Sequence, residues 1–157
     1  MNLSRLFPLL FLIITLSACE PEGRIYNEHQ ELSPQMEWLK NDKKEFKVTI
    51  DDNSLTYQLR LSFRYATGYP FQQVRVKVTE TSPSGAEIIN EYDLKVREDN
   101  GDYIGEAALD IWDSEHLVES SKTYKETGTY TYVIEHNMPV DPLSMAMEIG
   151  LIVDKAN

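Results

Sequence analysis

Cysteine is almost missing from this sequence: among 157 residues only Cys19 carries a thiol. No disulfide can form within the chain, and no zinc site can rest on paired cysteines. Positive charge is scarce as well, with 15 Lys and Arg against 26 Asp and Glu and a net charge of −11 at pH 7. Such a surface repels phosphate backbones, and no basic patch relieves it, so nucleic acid is not an expected partner. Histidine is limited to His29, His116 and His136, none at the spacing of a helical metal pair. Neither a phosphate-cradling glycine loop nor a dinucleotide fingerprint is present, so no metal and no dissociable cofactor is expected.

Long hydrophobic runs are limited to one. Residues Leu6 to Leu16 are apolar apart from Pro8 and Thr15, a stretch well short of the roughly 20 residues that span a bilayer. With Arg5 before it and Leu16-Ser17-Ala18-Cys19 after it, the stretch has the three parts of an export signal. The last four residues resemble the bacterial lipobox: small side chains fit the peptidase groove and the Cys19 thiol accepts diacylglycerol. Cleavage before Cys19 would remove residues 1–18 and use the chain's only thiol. An unpaired cysteine in an oxidising compartment is otherwise a liability. One acyl chain holds a protein only marginally, at about 0.8 kcal/mol per buried methylene, whereas two or three make attachment durable. Covalent lipid on Cys19 is thus the only expected prosthetic group.

Residues 19–34 read as the acylated terminus and a mobile tether. They contain Glu20, Glu22, Glu28 and Glu31, two prolines and few apolar side chains, too little to offset the entropy of ordering. Residues 35–157 read as one all-β domain. Phe46, Val48 and Ile50 alternate with polar residues, as do Tyr57, Leu59, Leu61 and Phe63, then Val74, Val76 and Val78, then Tyr92, Leu94 and Val96. Turn chemistry separates them, at Asp51–Ser54, Ser82–Gly85 and Asp99–Asp102. Later come Tyr130, Tyr132, Ile134 and His136, and a last run of Met147, Ile149, Leu151 and Val153. Residues 104–112 are expected to give one strand and Ser114–Lys125 a long loop with a short helical turn possible. Strands with one apolar face must bury it, so two antiparallel layers are expected, a β-sandwich of immunoglobulin-like or similar type. Glu126-Thr127-Gly128-Thr129-Tyr130 fits a tyrosine corner.

Chemistry-bearing clusters are weak. Asp113-Ser114-Glu115-His116 contains the residue types of a hydrolase triad, but adjacency along a chain does not make them converge. The acidic turns lack the ligand spacing of a calcium loop. No catalytic or metal-binding residue is expected. Candidates for partner contacts are Tyr69, Pro70 and Phe71, which lie in a connection and either plug one end of the sandwich or stand exposed, and Trp112 beside the acidic segment.

Taken together, Leu16–Cys19, Trp38 ahead of Phe46, Tyr57–Leu61, Tyr69-Pro70-Phe71, Ser82–Gly85, Asp99–Gly105, Gly128–Tyr130, Met138, Leu143 and Ile149–Leu151 resemble the gliding-motility lipoprotein family GldH of Bacteroidota. The resemblance covers nearly the whole chain. Gln73, Tyr103 and Pro139 depart from it, standing where asparagine, tryptophan and a basic residue are more usual. It implies a non-enzymatic, membrane-anchored component of the gliding machinery coupled to type IX secretion. Its partners would be cell-envelope proteins of that apparatus, and its place the cell envelope, with the outer membrane as the expected site. The competing function is a surface carbohydrate-binding lipoprotein using Trp112 and nearby aromatics.

Overall fold

The computed structural model describes residues 23–156, so Cys19 and the lipobox lie outside the described residues. The described chain is strand and loop without helix. Its strands are β1 (Arg24–Glu31), β2 (Glu37–Trp38), β3 (Lys44–Ile50), β4 (Thr56–Ala66), β5 (Gln73–Thr81), β6 (Glu87–Lys95), β7 (Glu106–Ala108), β8 (Ile111–Thr123), β9 (Gly128–His136), β10 (Leu143–Ser144) and β11 (Ala146–Lys155). One sheet runs β1-β11-β4-β8-β7 and the other β3-β9-β5-β6, with β2 and β10 making a short ribbon. Every pairing is antiparallel.

The period-two pattern accounts for the layers. Phe46, Val48 and Ile50 on β3, Val74, Val76 and Val78 on β5, and Tyr130, Tyr132 and Ile134 on β9 are buried from one side. Leu59, Leu61, Phe63 and Tyr65 on β4 meet them from the other, with Ile149, Leu151 and Val153 on β11. Burying each such side chain stabilises the fold by roughly 1.5–3 kcal/mol, and this core sets the strand register. Tyr130 makes the expected corner, its Oη 3.1 Å from the Glu126 carbonyl oxygen.

Two expectations are corrected. Residues 24–31, expected within the tether, form edge strand β1, paired with β11 from Tyr26↔Val153 to Glu31↔Glu148. Backbone hydrogen bonds hold this strand rather than an apolar face, helped by the Arg24–Asp154 ion pair at 2.9 Å. The Gln30 amide also donates to the Glu45 carbonyl, at 2.7 Å. The segment Ser114–Lys125, expected as a loop, lies mostly in β8. Its inward positions include Ser114 and His116, and register shifts around Leu59 interrupt the alternation, so composition concealed the strand.

The strands divide the molecule into two poles. At one lie Gly23, whose carbonyl accepts from Lys155 N at 2.8 Å, the 51–55 turn, the 82–86 turn and the 124–127 turn. Contacts from Asn53 to Lys125 and from Ser84 to Glu126 join these turns. At the other pole, roughly 33 Å away along the eleven residues of β4, lie residues 67–72 and 96–105 and the β7–β8 hairpin turn.

Candidate functional site

The far pole is built from aromatic side chains at the ends of β4 and β8. Tyr69 is fully buried, 0% exposed, and packs edge-on against Phe63, Tyr65 and Phe71 at centroid distances of 5.6, 5.6 and 6.0 Å. It is therefore the plug of the sandwich, one of the two readings that its place in a connection left open, and it offers no exposed surface of its own. A large ring next to Pro70, which cannot enter a ladder, turns inward because the open end of the core would otherwise be wet. Pro70 is exposed and Phe71 half-buried, so both stay at the surface.

Tyr65 anchors the neighbouring loop. Its hydroxyl lies 2.7 Å from the Val96 carbonyl oxygen and 2.6 Å from that of Ile104, and burial pushes its pKa up to about 12. Tyr103 then lies over the pole. Its hydroxyl oxygen accepts from Gly68 N and from Arg97 Nη2, each at 2.8 Å. The Arg97 guanidinium sits 4.4 Å from its ring centroid, and Arg97 Nη2 also donates to the Tyr69 carbonyl. Both bonds to Tyr103 use a hydroxyl, which a tryptophan at this position would lack. Trp112 stacks on Tyr103 at 4.9 Å and 20° and donates Nε1–H to Thr67 Oγ1 at 3.1 Å.

Glycine permits this assembly at one critical place. Gly105 has φ +127°, and a Cβ there would overlap the Asp113 carbonyl. The loop can therefore reach the start of β8 only as glycine. The β7–β8 turn that follows is the feature sequence reading missed. Leu109 is 99% exposed and holds φ +57°, in a two-residue turn at the position that type II′ hairpins give to glycine. A leucine there is strained by roughly 1–2 kcal/mol and buries nothing in return. The chain offered one signal: a leucine between Ala108 and Asp110 where a Gly or Asn would be ordinary turn chemistry.

Two serine hydroxyls lie against histidine rings. Ser114 Oγ lies 3.0 Å from His116 Nε2 but donates to the Phe63 carbonyl at 3.0 Å. Pairing with β4 puts Asp113 and Glu115 on the opposite face from this pair, so the local cluster does not converge. Burial holds the His116 imidazole below its usual range. Strand register makes a second pair that sequence spacing could not reveal. Ser62 Oγ on β4 lies 3.0 Å from His29 Nδ1 on β1, and His29 Nε2 lies 2.9 Å from Asn27 Oδ1. Between them runs Gly150 of β11, whose missing side chain leaves room for both. Glu148, Arg64 and Asp113 continue the polar row. Ser62 lies mid-strand with ladders on both sides, so neighbouring N–H groups are committed to the sheet. No oxyanion could collect them, and acyl transfer has no foothold there.

A cleft of about 480 Å³ lies near the opposite pole. Glu80, Lys122, Tyr124 and Ile88 contribute to its walls. Lys122 Nζ bridges to Glu80 at 2.7 Å with both side chains 8% exposed, so its charges are already satisfied within the protein.

A family model described as GldH lipoprotein matches residues 24–153. A relative from Christiangramia forsetii, named as a gliding motility lipoprotein GldH homolog, is 22% identical over 158 aligned residues, spanning 96% of this chain and 95% of its own.

Proposed function

The chain belongs to the GldH lipoprotein family, and from that premise we propose that it is a non-enzymatic, lipid-anchored module of the gliding machinery. It works by binding another envelope protein. The observation that carries this reading is the separation of the two poles. Gly23 and β1 place the start of the fold at one pole, while the aromatic plug and its exposed rim occupy the other. With diacylglycerol on Cys19, only residues 20–23 lie between the lipid and Arg24. That stretch reaches at most ~18 Å, since each residue spans no more than about 3.6 Å. The near pole is held close to the membrane and the far pole is presented away from it. An outer-membrane location and coupling to type IX secretion belong to the same proposal.

Deleting the gene in its own gliding host is expected to abolish colony spreading; unchanged spreading would refute the reading. A carbohydrate platform at Trp112 is disfavoured because one ring face is covered by Tyr103 and the indole N–H is engaged by Thr67. A glycan array probed with the purified protein is expected to show no binding above background.

A further inference from the structure

We propose that Leu109 is a docking knob that enters an apolar socket, rimmed by basic side chains, on a protein partner. This deepens the reading above and rests on it. Leu109 is the most exposed large apolar side chain described, at 99%, and it takes a backbone conformation that glycine holds more easily. Exposure contributes no burial free energy and the strain costs some, so the fold itself gains nothing from a leucine at this position.

Its support is rigid. Thr67 N donates to the Asp110 carbonyl at 2.8 Å, pinning the turn. Trp112, just beyond the turn, is clamped between the Tyr103 stack and the Thr67 hydroxyl. With the backbone beneath the knob already held, docking needs to order only the leucine side chain. Exposed Ala107 and Ala108 leave it protruding without bulky neighbours.

Charge selects the occupant. Glu106 and Asp110 flank the knob on its own hairpin, and Asp102 adds a carboxylate on the loop whose Tyr103 stacks against Trp112, where Lys95 already pairs with Glu98 and Asp99. An anionic lipid surface would be repelled by this collar, whereas a socket bordered by lysine or arginine would be drawn to it. The anchor side also lies at the opposite pole, which leaves the far pole free for protein contact.

The test is complementation of the deletion strain with the full-length chain. Leu109→Gly removes the knob and relieves the turn, so the purified full chain in detergent should melt no lower than wild type. Spreading should nevertheless fall at least about tenfold, as loss of a central anchor residue does to binding. Leu109→Met should retain spreading, and Asp110→Lys should reduce it. Full rescue by Leu109→Gly would overturn the inference while leaving the family reading intact. A deletion strain that spreads normally would instead refute the reading beneath it. A photo-crosslinking residue at position 109 that yields only lipid adducts would overturn the choice of a protein partner.

Discussion

Single residues show most clearly where the fold and its exposed features part company. Lys122 and Glu80 sit between the sheets with 8% exposure each, and Lys122 also approaches Glu119 at 3.3 Å. Lys122→Met strands the Glu80 carboxylate, and a loss of about 3–5 kcal/mol is expected by chemical denaturation. Adding Glu80→Leu should recover most of it; an equally unstable double variant would contradict this account. Acid acts through the histidines. Burial holds the His116 imidazole below its usual range, and burial is also the main cause of the depressed value at His136. The folded state therefore binds fewer protons than the unfolded chain once pH falls below the unfolded value of about 6.5, and stability is lost from there downward. At Glu135 burial alone would raise the carboxyl, but Lys43 and Lys77 outweigh it and hold it low. Its contribution is full above about 4.3 and fades as pH drops through the depressed value. Thermal melts should show Tm falling between pH 7.5 and 5.5, with a shallower fall in His116→Gln. A flat or rising Tm on acidification would contradict both assignments.

At the scale of elements, sequence reading succeeded where side chains carry the information and failed where the backbone does. β3, β4, β5 and β9 announce themselves through alternating apolar residues, and the Asn100–Gly101 turn through its chemistry. β1 has no apolar alternation; seven register pairs with β11 hold it, and such pairing is invisible along a single sequence. β8 was hidden by its polar inward residues. At the site, Tyr69 reads from the sequence as a large ring in a connection, and only its burial separates plug from contact. The Ser62–His29 pairing required register, and Leu109 required φ. Gly150 tests the attachment of β1, because a Cβ there would collide with Ser62 Oγ and His29 Nδ1. Gly150→Ala is expected to cost about 1–3 kcal/mol through overpacking and to raise amide exchange in residues 24–31 above that in β4. Unchanged protection of β1 would show that the close approach is relaxed without consequence.

For the whole molecule, the correction at β1 changes what the anchor does. A tether of residues 20–34 would let the domain roam, whereas order from Arg24 onward would keep the near pole within about 18 Å of Cys19 once lipid is attached there, as proposed. Mass spectrometry of the protein from its own membranes should find Cys19 acylated at the new N-terminus, and an uncut Met1 would contradict that. Net charge of −11 further disfavours lying flat on an anionic surface, so the sandwich is expected to stand on its near pole. On the proposed reading, function depends on location as much as on shape. The direct test exports residues 20–157 behind an ordinary secretory signal in the deletion strain, at the abundance of the native lipoprotein. The account predicts a folded but unanchored domain and spreading no better than in the deletion strain. Restored spreading by the soluble chain would contradict it.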